Sequence, residues 1–385
     1  MEAKPLKKVC LVVSSPLTAK WFLGQHLQAL GERYDVFLLA NFAERAEVCD
    51  HDGKVTLCRV PIVRSISPFR DVLALALLFN TFRRCRFDVI HSVTPKAGLL
   101  STIAGWLAGV PIRVHTFTGQ VWVTRYGLTR CILRSADKII ASFATHVLVD
   151  SFSQRAFIID QGIVDARKAQ VLAAGSLSGV DTRRFRPDSA TRCRMRSAWG
   201  ARDDDVIFLY VGRLNRDKGI ADLARAFSRL AARRRDGRLA IVGPDEQQMT
   251  PVIYESCKAC RDRVHLFPYT DRPEDYMAAA DVLCLPSYRE GFGSVVIEAA
   301  SAGIPAVASR IYGVTDAVLD EETGLLHRPG DIAGLSEAME RMIQEREMRL
   351  AMGLRAQRRA QNLFSQEVVT AALMRFYAAL PKSSP

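Results

Sequence analysis

The sequence lacks several features that would assign it to a specialised class of protein. Its longest uncharged stretch, Ala97 to Ile112, has only 16 residues and contains three glycines and a proline. Such a segment fits a buried helix better than a membrane span. No internal repeat or low-complexity tract appears, and Met1–Lys8 leads into an apolar run without the pattern of a signal peptide. We therefore expect a soluble or peripheral protein.

The nine cysteines have no regular spacing. Cys257 and Cys260 form a C-x-x-C pair, but no second Cys or His pair stands at the spacing of a zinc site. Metal or redox use of this pair is the alternative to a role as core-filling thiols. The irregular set favours reduced cysteines of a cytosolic protein, and we expect no metal site.

Length and charge then indicate how the chain is divided. Its 385 residues suggest two domains of about 100–200 residues each. Residues 1–199 hold 28 Lys and Arg against 15 Asp and Glu, a net charge of +13, whereas residues 200–385 hold 25 against 26. The first half therefore needs an acidic partner, such as a phosphorylated substrate, an anionic membrane or a nucleic acid.

Short apolar runs alternate with longer amphipathic segments, which is typical of βαβ units and parallel sheets. We predict an α/β protein with two Rossmann-like domains, residues 1–185 and 186–365, that face a central cleft. A C-terminal helix and tail, residues 366–385, should return to the first domain. The predicted strands are Val9–Val13, Val36–Leu39, Asp88–His91, Ile112–Thr116, Lys138–Ile140 and His146–Val149 in the first domain, and Val206–Val211, Arg238–Val242, Val264–Phe267, Asp281–Leu285 and Pro305–Ala308 in the second.

Two loops that follow predicted strands of the second domain carry candidate site residues. Gly212 and Arg213 come directly after the strand VIFLYV, and Lys218 follows five residues later. Ligands of open α/β sheets bind beyond the carboxyl ends of the strands, where a glycine permits close approach and two cations suit a diphosphate. An ordinary loop with solvated charges is the alternative.

The second loop leads from the strand DVLCL into a helix that carries Glu298. A glycine-rich turn at a helix N-terminus presents backbone N–H groups and suits a phosphate. Glu298 could accept hydrogen bonds from a ribose diol, and Glu290 could reach the hydroxyls of a sugar. Caps and helix-dipole partners are the alternative for such acidic residues. The turn comprises Glu290, Gly291, Phe292, Gly293, Ser294 and Val295.

These residues resemble the E-x7-E signature of retaining glycosyltransferases of the GT-B fold, and more narrowly of glycosyltransferase family 4. Glu290 and Glu298 are separated by seven residues, and the G-R-x4-K-G at 212–219 stands where that family has it. The segments Gly303-Ile304-Pro305-Ala306-Val307 and T-G-L-L at 323–326 are similar to further family segments.

The resemblance implies a role for each of these positions. Arg213 and Lys218 would neutralise the leaving diphosphate of a nucleotide sugar, and the amides around Phe292–Val295 would hold its distal phosphate. Glu298 would hold the ribose, and Glu290 would orient the transferred sugar. The family reaction needs no metal and no other cofactor, and the run Asp203–Asp205 is expected to be a solvated loop because it precedes a strand.

The first half resembles enzymes of bacterial capsule, O-antigen and N-glycan assembly, which add an N-acetylated or amino-deoxy hexose to an undecaprenyl-diphosphate-linked sugar. The matching segments begin at Ile90, His115 and Gly179. The resemblance implies an acceptor site in this half. His115 is either a catalytic residue or a packed strand residue, and His91 is likewise either at the site or at the edge of the core. The candidate acceptor residues are Thr18, Lys20, His91, Lys96 and Thr118.

The segment Pro68–Arg86 has two interpretations. Its apolar part, Val72–Phe79, is flanked by arginines, as in a helix that lies at a membrane interface. The alternative is a helix that packs on the sheet and has a basic end.

The leading hypothesis is a retaining hexosaminyltransferase that uses a UDP-sugar and a polyprenyl-diphosphate-linked acceptor at the inner face of the cytoplasmic membrane. A GT-B enzyme with a soluble acceptor is the alternative. A basic membrane- or nucleic-acid-binding protein without catalysis is a third hypothesis. Binding of nucleic acid is disfavoured because no interleaved exposed aromatics or recognisable module accompany the basic residues.

Overall fold

The computed structural model describes residues 7–42, 54–63 and 67–381. The chain divides into two compact units, each with one parallel sheet. Unit 1 comprises the residues up to Ser178 and those from Gln366 onward, and unit 2 comprises Gly179–Ser365. The predicted α/β class with two Rossmann-like domains is confirmed. The first stretch of unit 1 ends at Ser178, whereas the first domain was expected to end at residue 185.

Unit 1 contains a seven-stranded parallel sheet. Its central strands are nearly continuous apolar runs, because helices cover both of their faces. The sheet order is β3-β2-β1-β4-β5-β6-β7. The strands are β1 (Lys8–Val12), β2 (Asp35–Ala40), β3 (Val55–Arg59), β4 (Val89–Val93), β5 (Ile112–Phe117), β6 (His146–Val149) and β7 (Ala169–Val171).

Seven helices belong to this unit within the described residues. A π-helical stretch, Ala19–Leu23, joins the first two of them. The last described helix, Gln366–Ala379, packs against the helix Gly24–Gly31 and adds Leu373 and Tyr377 to the core beside β1, so the predicted return of the C-terminal helix is confirmed. The helices are α1 (Pro16–Thr18), α2 (Gly24–Gly31), α3 (Pro68–Cys85), α4 (Pro95–Leu107), α5 (Gly127–Phe143), α6 (Phe152–Asp160) and α15 (Gln366–Ala379).

One predicted strand of unit 1 is wrong. Lys138–Ile140 lies inside helix α5, whose residues Asp137, Ile140 and Ala141 are buried at helical spacing. Two β-branched residues in sequence favoured a strand, but the helical period of the longer segment determines the structure.

Unit 2 contains a six-stranded parallel sheet in the order β10-β9-β8-β11-β12-β13. All five predicted strands of this unit are present. The strands are β8 (Val206–Val211), β9 (Gly237–Val242), β10 (Val264–Phe267), β11 (Val282–Leu285), β12 (Ala306–Ser309) and β13 (Gly324–His327). The helices are α7 (Ser189–Ala198), α8 (Ile220–Arg233), α9 (Met249–Ser256), α10 (Pro273–Ala279), α11 (Ser294–Ser301), α12 (Val314–Ala317), α13 (Ile332–Gln344) and α14 (Arg346–Leu363).

The division into units changes the distribution of charge. Six arginines between residues 183 and 196 belong to unit 2. Unit 1 therefore holds 24 Lys and Arg against 14 Asp and Glu, a net of +10, and unit 2 holds 29 against 27, a net of +2. The surplus remains on unit 1, but it is smaller than a split at residue 199 suggests.

Within the described ranges, no helix combines the length and the apolar character that crossing a membrane requires. The eight cysteines in these ranges form no disulfide, and Cys257 and Cys260 are buried in the core of unit 2. Cys49 lies outside the described residues.

Candidate functional site

The loop after β8 places a guanidinium group at the carboxyl edge of the unit 2 sheet. Gly212 has φ +155°, a conformation that favours glycine. Nη1 of Arg213 donates to Oε2 of Glu246 at 3.0 Å, and Nδ2 of Asn215 donates to the same oxygen at 3.2 Å. The hydroxyl of Tyr210 donates to the Arg213 carbonyl at 2.8 Å. Arg213 is therefore held at this edge from both its backbone and its side chain.

Lys218 and Glu290 form an ion pair between two loops that follow neighbouring strands. The Lys218 Nζ lies 2.6 Å from Oε1 of Glu290, and both side chains are largely buried. The buried Ser287 hydroxyl donates to the same oxygen at 2.8 Å. Charge-assisted bonds of this kind are short and strong, so they fix the carboxylate with respect to the ammonium group.

The backbones of these two loops touch. Gly219 has φ +66°, and a Cβ atom placed on it would lie 2.1 Å from the carbonyl oxygen of Pro286. The Tyr288 N–H donates to the Asp217 carbonyl at 2.9 Å. Only glycine allows this approach, which brings Lys218 within reach of Glu290.

The glycine-rich turn ends at the first residue of α11. Gly293 has φ +83° and directly precedes Ser294, the first helical residue. The first N–H groups of a helix have no partner within the helix and form the positive end of its dipole. The predicted donor residues Gly291, Phe292, Gly293, Ser294 and Val295 are thus gathered beside Lys218 and Glu290 at one edge of the sheet.

Glu298 lies one turn further along α11 and is half-buried. Burial raises the pKa of its carboxyl group to about 7, Glu274 adds to the rise, and Arg184 opposes it. Arg184 donates to Glu274 at 2.8 Å. Glu298 is therefore the third acidic side chain at this edge, after Glu246 and Glu290, and its pKa lies near neutral pH.

The two histidines proposed in unit 1 are both packed in its interior. His91 is buried, with Nδ1 2.8 Å from the Tyr377 hydroxyl and Nε2 2.7 Å from the Thr116 hydroxyl. Burial lowers its pKa to about 3, and His26 contributes to that shift. With both ring nitrogens engaged, His91 fits the core alternative and leaves no atom for an acceptor.

His115 is also buried, and it lies beneath helix α4. Its Nδ1 is 2.9 Å from the Ser92 hydroxyl, and its ring meets Phe117 edge-on at 4.6 Å. Burial lowers its pKa to about 3. Its Nε2 has no hydrogen-bond partner among the described residues. A Cβ atom on Gly98 would lie 2.4 Å from the ring, so His115 fits the packed alternative.

The other acceptor candidates lie at several places in unit 1. Thr18 ends the short helix α1, and exposed Lys20 stands over the ring of Trp21 at 5.2 Å. Lys96 is in the first turn of α4, and its Nζ lies 2.7 Å from a carboxylate oxygen of Asp71 in α3. Thr118 is half-buried just after β5. Thr18 and Lys20 follow β1, Lys96 follows β4 and Thr118 follows β5, and these three strands are neighbours in the sheet.

Sequence reasoning missed Glu246, Asn215 and Ser287, which hold Arg213 and Glu290. Glu246 reaches Arg213 and Asn215 from another loop, so no local pattern identifies this contact, whereas Ser287 lies three residues before Glu290. The expected solvated loop Asp203–Asp205 is only partly one, because Asp205 is buried and its Oδ2 accepts from Arg238 at 2.6 Å. Within the described residues, no three His, Cys, Asp or Glu side chains are grouped as metal ligands would be.

Two family models match the chain. The one described as Glycosyl transferases group 1 matches residues 192–359, and the one described as Glycosyl transferase 4-like domain matches residues 22–175. The first match includes the whole donor set, from Gly212 to Glu298.

Relatives with described activities share most of the chain. The capsular polysaccharide biosynthesis glycosyltransferase CapM of Staphylococcus aureus is 29% identical, over 84% of this chain and 85% of CapM. The UDP-Gal:alpha-D-GlcNAc-diphosphoundecaprenol alpha-1,3-galactosyltransferase of Escherichia coli is 26% identical, over 82% and 81%. The D-inositol 3-phosphate glycosyltransferase of Xylanimonas cellulosilytica is 31% identical, over 78% and 73%.

Solved structures share the fold. Anabaena Alr3699/HepE in complex with UDP has a TM-score of 0.81 and 18% identity, over 97% of this chain and 100% of that one. Sucrose-phosphate synthase from Thermosynechococcus elongatus has a TM-score of 0.80 and 24% identity, over 97% and 98%.

Proposed function

We propose a reaction for this chain from the premise that it belongs to the group 1 glycosyl transferases, in glycosyltransferase family 4 with the GT-B fold. In this proposal it transfers an N-acetylated hexosamine from a UDP-sugar to a polyprenyl-diphosphate-linked sugar, with retention at the anomeric carbon. The reaction serves bacterial surface polysaccharide or glycan assembly at the inner face of the cytoplasmic membrane. The observation that carries the proposal is the pairing of Lys218 with Glu290 beside the N-terminus of α11.

The donor diphosphate would take the place of the carboxylates that now pair with Arg213 and Lys218. Arg213 is now held by Glu246 and Lys218 by Glu290. As the sugar–phosphate bond breaks, negative charge develops on the leaving phosphate, and preorganised cations at that position stabilise it. The α11 N-terminus adds N–H donors to the distal phosphate. The proposal therefore requires no resident metal or cofactor, because residues of the chain neutralise the charge.

Glu290 would hold the transferred sugar. Lys218 and Ser287 both bond to its Oε1, so we assign Oε2 to the sugar hydroxyls. In a retaining reaction on one face of the sugar, the acceptor oxygen attacks the anomeric carbon. The leaving phosphate oxygen takes its proton, so positioning supplies most of the catalysis. Glu298 would accept from the ribose diol. Because His91 and His115 are packed inside unit 1, we propose no contact between the substrate and either imidazole ring.

The lipid-linked acceptor is supported by a named relative and by charge. The Escherichia coli relative is named for a diphosphoundecaprenol acceptor. The net charge of +10 on unit 1 suits an acceptor that carries a diphosphate and lies at an anionic bilayer.

A soluble phosphorylated acceptor is the second candidate. It is favoured by the relative at 31% identity that is named as a D-inositol 3-phosphate glycosyltransferase. The same surplus of positive charge would attract such a substrate, so charge does not separate the two candidates.

A substrate panel separates them. UDP- and GDP-sugars, with and without N-acetyl groups, are incubated with a synthetic polyprenyl-diphosphate sugar or with phosphorylated polyols, and the product anomer is determined by NMR. We expect transfer from a UDP-N-acetylhexosamine to the lipid acceptor with retention. Transfer to the soluble acceptor alone, or an inverted product, would contradict the proposal.

A further inference from the structure

Helix α3 presents an outward face that is apolar at its start and basic at its end. Ala74, Leu78 and Phe82 are buried against the sheet, as the packed interpretation of this segment expects. On the opposite side Phe69 is 93% exposed and Val72 is 67% exposed. Leu73 and Leu77 continue this face, and exposed Arg83 and Arg84 follow in the last turn.

Helix α5 presents a second face of the same kind, which sequence reasoning did not identify. All residues from Arg125 to Ile132 are exposed. Tyr126 is 86% exposed and Leu128 is 76% exposed, and Ile132 follows one turn later. Arg130 and Lys138 add positive charge to the same exposed region. Six of these eight exposed residues, from Gly127 to Ile132, begin helix α5.

The two apolar faces lie at one edge of unit 1. Helix α4 packs against both α3 and α5, so it lies between them. Each of these helices follows a parallel strand, so the first turns of all three are at the carboxyl edge of the sheet. Lys96 is in the first turn of α4, and the first turns of α3 and α5 carry the exposed side chains of Phe69 and Leu128.

Both helices lack exposed acidic side chains. Of the two carboxylates in Pro68–Cys85 and Gly127–Phe143, Asp71 pairs with Lys96, and Asp137 is buried and accepts from the indole N–H of Trp122 at 2.7 Å. The exposed charges on both helices are therefore positive. A face that combines apolar side chains with exposed positive charge is complementary to an anionic bilayer rather than to a neutral one.

We propose that this two-helix surface inserts into the headgroup region of an anionic membrane. The surface consists of Phe69, Val72 and Leu73 of α3 and Tyr126, Leu128 and Ile132 of α5. This inference rests on the proposed function for its biological meaning, because a lipid-linked acceptor would lie in the same membrane. Membrane binding itself depends only on the surface.

The test compares the full chain with two double variants. Leu128→Ser with Ile132→Ser removes two apolar side chains one turn apart from α5. Leu350→Ser with Leu354→Ser makes the same change on α14 of unit 2, where the leucines are 56% and 49% exposed. Each protein is sedimented with vesicles of phosphatidylglycerol and phosphatidylcholine in equal parts, and with vesicles of phosphatidylcholine alone, over a range of salt concentrations.

We expect the wild-type protein and the α14 variant to bind the anionic vesicles and to be released by salt. The α5 variant should bind about tenfold or more weakly, because two apolar side chains no longer enter the bilayer. Equal binding to both vesicle types, or unchanged binding of the α5 variant, would overturn the proposal. So would a stable dimer that only the α5 variant disrupts, because the surface would then be covered by a second copy.

Transfer to a short-chain, water-soluble acceptor analogue separates this inference from the proposed function. We expect the α5 variant to retain that activity while it loses binding to vesicles. If none of the proteins transferred sugar but vesicle binding was as expected, the proposed reaction would be refuted. The proposed membrane-binding surface would still be supported.

Discussion

The ammonium group of Lys218 lies 2.6 Å from Oε1 of Glu290, although 72 residues separate them in the chain. One residue follows β8 and the other follows β11, and these strands are neighbours in the unit 2 sheet. Each ion balances the charge of the other. The free protein therefore keeps both site residues in place without leaving a buried charge uncompensated.

Lys218→Ala should lower kcat/KM for transfer by about 100- to 1,000-fold, because a preorganised cation is lost where charge develops on the leaving phosphate. Steady-state kinetics with the preferred donor measures this loss, and circular dichroism checks the fold. Lys258→Ala, which removes an exposed lysine of the same unit, should be neutral. If the Lys218→Ala enzyme kept its activity, the assignment of Lys218 to the donor site would be wrong.

The dependence of donor binding on pH should follow Glu298. Burial raises the pKa of this carboxyl group to about 7. The charged form accepts two hydrogen bonds from a ribose diol more strongly than the neutral form does. The KM for the donor should therefore rise as the pH falls from about 8 to about 6, through the pKa of the group.

Glu298→Gln should give a KM about tenfold higher at the upper pH and nearly independent of pH. The exposed Glu337→Gln variant should keep the wild-type profile. If Glu298→Gln retained the full dependence on pH, another group would have to be responsible for it.

Gly98→Ala should lower the free energy of unfolding of unit 1. The new methyl group would lie 2.4 Å from Cε1 of His115, whose ring is held by Ser92 and Phe117. Overpacking of this kind costs about 1–3 kcal/mol. Urea unfolding measures the change.

Gly24→Ala is the control, because Gly24 is also in a helix of unit 1 but has open space around it. Its free energy of unfolding should stay the same or rise by up to about 1 kcal/mol. Equal stability of the two variants would show that His115 is not confined as described.

Asp150→Asn should change how the stability of unit 1 depends on pH. Burial raises the pKa of Asp150 to about 8, and its Oδ1 has no hydrogen-bond partner among the described residues. The folded state therefore binds this proton more tightly than the unfolded state, whose pKa is about 4. Stability should fall as the pH rises from about 4 to about 8.

The asparagine variant carries no such proton, so the difference in Tm between about pH 6 and about pH 9 should be smaller than in the wild type. Thermal unfolding at the two pH values gives the comparison. Exposed Asp160→Asn should behave as the wild type does. An unchanged difference in Asp150→Asn would mean that the carboxyl is solvated in solution.

The central strands could be predicted because a strand that is covered on both faces consists of consecutive apolar residues, as in Val206–Val211. The edge strand Val55–Arg59 was missed because it is only partly buried, so polar residues interrupt its apolar pattern. Ala169–Val171 and Gly324–His327 are too short for their own sequence to distinguish a strand from a loop. Tertiary pairing forms these three elements.

The placement of the donor candidates at one edge of the unit 2 sheet could be predicted for a similar reason, since the glycine turns and charges are local in sequence. Its supporting contacts could not be, because Glu246 reaches Arg213 from another loop. For the histidines, the sequence left a site role and a core role open. His91 follows the pattern of a strand-end site residue, but the hydroxyl of Tyr377, which occupies its Nδ1, comes from a helix 286 residues away.

The return of α15 to unit 1 has a consequence for the order of events during synthesis. His26 and His91 receive their partners Thr370 and Tyr377 from a helix that the ribosome makes after all of unit 2. Unit 2 is thus an insertion within unit 1, and it can complete its core while unit 1 still lacks Leu373, Tyr377 and Leu380. The unit that carries the surplus of positive charge is therefore the last to mature, and a chain shortened before Gln366 would leave the Nδ1 atoms of His26 and His91 without the hydroxyl groups that they contact.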